Sequence, residues 1–257
     1  MEYSIQTISA QIKESYKIIL LIVAGAIAIQ LSPALPVEIF ESFLVTRVAI
    51  VIFPLGASIV SFIVSKRYGG SKVFGKSYLA LGISYFGVFL GEILYFNFDS
   101  IQNWDFSYVA DIFFVMSYPA IMTHLVINIR YFKEKLENFQ KTLLVVIPVG
   151  ILATFSYLVV NTPSDFDPVF YYELIFVIGS SVTLSLAVVG FSIFRSTNLI
   201  SAWFFILLGI FSDTVGSVFH RYTHTFGLYS YGDISNVLWI IAPVLIMYGL
   251  YRHLKSM

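Results

Sequence analysis

The chain has 257 residues, 58% of them apolar and only 12% charged, with 15 basic side chains balanced by 15 acidic ones and a mean hydropathy of +0.85. This composition excludes a soluble globular domain and calls for a multi-pass protein in the lipid bilayer. Nucleic acid is excluded as a partner because no basic patch stands free of the membrane boundary. The lack of cysteine excludes disulfides and thiolate chemistry.

Residues 1–16 lack the pattern of a removable signal peptide. Ile5, Ile8, Ile12 and Tyr16 recur at helical spacing with Glu2, Gln6, Lys13 and Glu14 between them, predicting a short helix or tail on the cytoplasmic surface. A spanning helix needs roughly 20 mostly apolar residues. The sequence supplies eight such stretches, at about 17–35, 42–65, 75–97, 107–131, 141–160, 169–194, 198–221 and 231–252. The connections are too short for a catalytic domain outside the membrane, so any chemistry must sit in the bundle.

The expected fold is all-α and polytopic. Lys13, Lys17, Lys66, Arg67, Lys72, Lys76, Arg130, Lys133, Lys135, Lys141, Arg195, Arg252 and Lys255 fall on one side of the eight spans, leaving Arg47 and Arg221 on the other. By the positive-inside rule both termini are cytoplasmic, in a cell membrane. The opposite face carries Glu38, Glu41, Asp99, Asp105, Asp165 and Asp167.

The chain also matches itself at an offset of 125 positions. Gly25 falls on Gly150, Gly87 and Gly91 on Ser212 and Gly216, Ile121, Met122 and Leu125 on Ile246, Met247 and Leu250, and Arg130 on Lys255. The second span departs from this, aligning Phe62 with Phe191 and Lys66 with Arg195 at an offset of 129. The match predicts two parallel four-helix repeats, 17–135 and 136–257, related about an axis along the membrane normal. Small residues four apart permit close helix approach, so spans three and seven are expected to be inner helices meeting near that axis. Pro54, Pro119, Pro148 and Pro243 fall within spans and should bend them.

Ionisable groups inside spans are the candidate site, because their burial costs free energy unless they face a partner or a cavity. At 1.5 Å per residue Glu92 lies roughly 24 Å, and Asp213 roughly 22 Å, from the cytoplasmic boundary. Both fall in the outer third. Asp111, Glu173 and Asp233 start spans at the same level. The expectation is an outward-facing polar and aromatic pocket ringed by Glu92, Asp111, Glu173 and Asp213, with Arg47 as counter-charge. The inner half offers His124, with Asn128 near the boundary.

Asp213, Ser217, His220 and His224 lie on one helical stripe. Two imidazoles four residues apart can share a divalent metal, with Asp213 and a carboxylate from another span completing the set. Such a His pair resembles that of seven-span zinc-dependent membrane hydrolases, the alkaline ceramidases and progestin-receptor relatives. The bland reading makes His220, Arg221 and His224 interfacial residues in water beyond the seventh span. No nucleophile elbow, phosphate loop, haem attachment pattern or retinal lysine is present, and no catalytic residue is assigned.

The segment from Ser107 through Asp111 to Tyr118 and Pro119 resembles the P-S-x-A-D-x-x-Y-L-x-x-Y-P stretch of the multi-pass sensor region that precedes bacterial cyclic-di-GMP synthase and histidine kinase domains. Asp213, Asn236 to Trp239, and Tyr171 to Glu173 are similar to later motifs of that family, although Asn236 replaces an Asp and Pro243 intrudes. The resemblance implies a membrane input module, here without an output domain, working with a cytoplasmic signalling protein or a homodimer partner. The expected function is binding of a small ligand in the outer pocket. A small-solute transporter, a metal-dependent intramembrane hydrolase and a structural subunit of a membrane complex are the alternatives.

Overall fold

The computed structural model describes residues 2–32, 44–101, 105–161, 169–230 and 232–256. They form eight helices: α1 (Glu2–Gln30), α2 (Leu44–Arg67), α3 (Phe74–Ile101), α4 (Asp105–Phe132), α5 (Asn138–Val160), α6 (Val169–Phe194), α7 (Ile200–Thr225) and α8 (Ile234–Lys255). Seven of them, α2 to α8, are long and apolar enough to cross a membrane, while the apolar stretch of α1, Tyr16–Gln30, is shorter. The chain is thus an all-helical, multi-pass membrane protein. α1 runs unbroken, so the expected surface segment and first span are one helix. Glu38, Glu41, Asp165 and Asp167 lie outside the described residues, as do the side chains of Ile5, Ile8, Ile12, Asp99 and Asp105.

Consecutive helices pack together in the order α2–α3–α4 and α5–α6–α7–α8. The two groups meet through α2 with α8, α4 with α6, and α1 with α8. α6 is the most enclosed span and α5 the least, so α5 turns most of its surface to lipid. The largest core cluster draws Tyr78, Leu81 and Tyr85 from α3, Leu125 from α4, Trp203, Ile206 and Ile210 from α7, and Ile246 and Leu250 from α8. While α6 and α8 are the more enclosed spans, this core is shared by α3 and α7.

Their small residues serve a different contact from the one expected. Gly87 faces the Phe113 carbonyl and Ser117 of α4, and Gly91 lies beneath the Phe114 ring. Gly216 lies against Leu238 and Trp239 of α8. Each small residue thus admits the next helix in sequence, where a short connection already holds two spans side by side, instead of joining α3 to α7. Pro54, Pro119, Pro148 and Pro243 all sit inside continuous helices. Where α4 gives way to α5, Lys133 pairs with Glu137 at 2.6 Å, and Gln140 donates to Ser192 Oγ at 2.9 Å, fastening α5 to α6.

Candidate functional site

At the end of the bundle away from the Lys66–Arg67 turn, α4, α6 and α7 bring three charged side chains together. Glu173, in the first turns of α6, is fully buried. Arg221, in the last turns of α7, donates from Nη1 to its Oε2 at 3.0 Å. His224, one turn-step further along α7, places Nδ1 2.7 Å from Oε1, so both carboxylate oxygens are held by α7. The Arg221 Nη2 also lies 3.9 Å from Asp111 Oδ1 on α4. Its guanidinium carbon sits 3.5 Å from the centre of the Phe176 ring, a cation–π placement.

Asp111 is held on its other side by phenols. Tyr95 of α3 donates to Oδ1 at 3.3 Å, and Tyr172 of α6 donates to Oδ2. Four helices therefore converge on one network of charges and hydroxyls. Charge-assisted bonds in a medium of low dielectric are strong, and removing either member of such a pair strands the other charge.

Deeper along the same helices are Glu92 of α3 and Asp213 of α7, both half-buried. Asp213 and Arg221 both act electrostatically on Glu92. Tyr85 and Tyr118 lie within the electrostatic reach of Asp213. Neither carboxylate has an ion pair or a direct hydrogen bond among the described residues. Among the described residues, the guanidinium of Arg221 is paired with two of these four carboxylates, Glu173 and Asp111.

The cation expected among these carboxylates is Arg47, on α2; among the described residues, the one paired with Glu173 and Asp111 is Arg221. Arg47 is half-buried on a helix that packs on α1, α3 and α8. The reading of Arg221 as a residue in water beyond the seventh span fails for the same reason: α7 continues to Thr225, and Arg221 is buried. Asp213, Ser217 and Arg221 recur every four residues, one row along α7. That row, and the presence of a basic residue on the side otherwise poor in them, were the signals for it. Asp233 bonds the backbone N–H and hydroxyl of Ser230 and shapes the turn into α8.

The histidine pair does not present itself as a shared metal site. His220 and His224 stack with ring centres 5.6 Å apart and planes 28° from parallel. His220 packs on Tyr229 and Trp239, whereas His224 turns to Glu173. Asp213 faces the Glu92 side of the bundle. Among the described residues no group of three or more His, Asp or Glu side chains is arranged to hold a metal ion. The donor set that the divalent-metal reading needs is not assembled.

No protein family, curated protein or solved structure matches this chain.

Proposed function

We propose that this is an integral membrane protein that binds a small organic cation, of the protonated-amine class, between Glu92 and Asp213. The observation that carries the reading is that, among the described residues, Glu173 and Asp111 have an ion pair and Glu92 and Asp213 have none. Arg221 is engaged by Glu173 and Asp111, which leaves the half-buried Glu92 and Asp213 to meet a cation from outside the chain. Like charges at short range in a poorly solvated place are costly to keep ionised, and a ligand cation relieves that cost. Tyr85 and Tyr118 border the same place, and aromatic faces attract ammonium groups.

The layout also suits a sensory input module. Asp111 and Tyr118, the most recognisable residues of the sensor-like segment, both border the charged network. Asp111 on α4 reaches Arg221 on α7, across the two groups of helices. A cation beside this contact would bias how the groups pack, and a cytoplasmic partner or a second copy would read the change.

Two further observations support the four-plus-four organisation. Gly91 lies against Phe114, and Gly216 lies against Trp239, a contact repeated at the same offset of 125. The pairing of α2 with α8 has its counterpart in α6 with α4.

The test is thermal unfolding of the protein in nanodiscs against a panel of small primary, secondary and quaternary amines. A binding amine at a hundred times its Kd should stabilise by about 2.7 kcal/mol. Glu92→Gln and Asp213→Asn should each abolish that gain while leaving the fold intact. A panel that shifts neither the wild type nor the variants, or a shift indifferent to both substitutions, rules the reading out.

A further inference from the structure

The other half of the bundle holds a second group of buried polar side chains, well separated from the outer network. Tyr78 on α3, His124 and Asn128 on α4, Trp203 on α7 and His253 on α8 are all buried. Their rings follow one another. Trp203 and His124 stand 6.1 Å apart between centres, His124 and Tyr78 5.3 Å, and Tyr78 and His253 5.1 Å.

Part of this group is satisfied internally. His124 Nδ1 lies 3.1 Å from the Ser77 carbonyl oxygen and 2.6 Å from Ser77 Oγ, so it is met in either tautomer: protonated it donates to these oxygens, bare it accepts from the Ser77 hydroxyl. Asn128 Nδ2 donates to Ser77 Oγ and, at 2.8 Å, to the His124 carbonyl. His124 Nε2 is left without a partner among the described residues.

Six polar atoms remain buried without a hydrogen-bond partner among the described residues: Tyr78 Oη, His124 Nε2, Asn128 Oδ1, Trp203 Nε1, and both ring nitrogens of His253. Buried polar groups in folded proteins are nearly always paired, and several orphans side by side mark a place where small hydrogen-bonding molecules reside. An acceptor (Oδ1), a donor (Nε1–H) and groups able to take either role (the phenol, His124 Nε2 and the ring of His253) are all present. No carboxylate, lysine or arginine is among the five residues, so nothing there would compensate an ion. Tyr78 and Trp203 are 125 positions apart, as are Asn128 and His253, which sets the group across the junction of the two helix groups. Leu81, Ile121, Ile206 and Ile210 of the apolar core lie between it and Glu92 and Asp213.

We infer that these five side chains form an internal binding site for small neutral molecules that both donate and accept hydrogen bonds, either water or a neutral organic solute of the same chemistry. The inference is independent of the amine-binding reading.

Trp203 makes the test direct, since its indole N–H is one of the orphan atoms. With Trp104→Phe and Trp239→Phe it becomes the sole tryptophan of the chain. Its emission would be recorded in nanodiscs in H2O and D2O buffers, beside native mass spectrometry of the same sample. Water in the site gives red-shifted emission that gains intensity in D2O, with no organic adduct, and both properties weaken in Tyr78→Phe, which removes only the hydroxyl. A neutral organic occupant gives an adduct mass that is lost in Tyr78→Phe or Asn128→Leu. Blue, D2O-insensitive emission with no adduct overturns the site, and an ionic adduct lost on His124→Phe overturns its neutral character. Failure of the amine panel with a D2O-sensitive Trp203 would remove the outer-layer reading alone.

Discussion

Arg221 is the side chain on which the charged network of α4, α6 and α7 depends, and removing it should be costly. Arg221→Ala leaves Glu173 buried with a charge that only the half-exposed His224 meets, and Asp111 with its two phenols. Breaking a buried ion pair from one side costs about 3–5 kcal/mol. The loss should appear as a lowered unfolding midpoint in mixed micelles titrated with denaturing detergent. Adding Glu173→Gln to Arg221→Ala should recover a substantial part of it, because the stranded charge is gone. Equal midpoints for the single and double variants would show that the pair is not coupled. Counting 1.5 Å rises along each span predicts Glu92, Asp111, Glu173 and Asp213 at one depth; in the structure Asp111 and Glu173 meet at Arg221, with Glu92 and Asp213 deeper along their helices. Which cation meets them could not be read that way. Arg47 and Arg221 are both expected on the side poor in basic residues, and what separates them is the packing of their helices, α2 on α1, α3 and α8 but α7 on α6 and α8.

At the level of the helix, close approach is set by what an added methyl group would meet. A Cβ at Gly209 of α7 would lie 2.9 Å from the Ala242 carbonyl and 2.9 Å from Ile246, and one at Gly249 of α8 would lie 3.0 Å from the Ala202 carbonyl. Backbone atoms cannot step aside, so Gly209→Ala and Gly249→Ala should each destabilise by about 1–3 kcal/mol. Gly25 and Gly150 have nothing within 4 Å of that position. Gly25→Ala and Gly150→Ala should therefore stay within about 0.5 kcal/mol of the wild type. Comparable losses at all four positions in the same detergent titration would contradict the α7–α8 packing. The spans themselves were legible in the hydropathy, with ends mostly within a few residues. α7 is the instructive exception: its last turns are polar in composition yet helical, because Arg221 and His224 find partners on α4 and α6 that a hydropathy scan does not see. The small residues of α3 were also legible, but not their partners, since spacing tells that a helix face is thin without telling which neighbour uses it.

On the scale of the whole molecule, the positive-inside rule makes a prediction that the absence of native cysteine renders easy to check. Ser71→Cys and Glu134→Cys, in the turns after α2 and α4, should react with a membrane-impermeant maleimide only after cells are opened. Asn161→Cys, just past α5, should react in intact cells. The reverse pattern would invert the protein in the membrane, and with it the side from which Glu92 and Asp213 are reached. Apolar content and the length of its runs were enough to determine that this chain lives in a bilayer as a helical bundle, because lipid leaves a spanning backbone no other way to bond itself. The same counting predicts a depth for each ionisable group. Pairing was decided only by tertiary structure. Whether Arg221 or Arg47 meets the carboxylates, whether the two histidines share a ligand or part to different helices, and whether Tyr78, His124, Trp203 and His253 come together all depend on rotations and crossings of helices, fixed by side chains distant in sequence packing against one another.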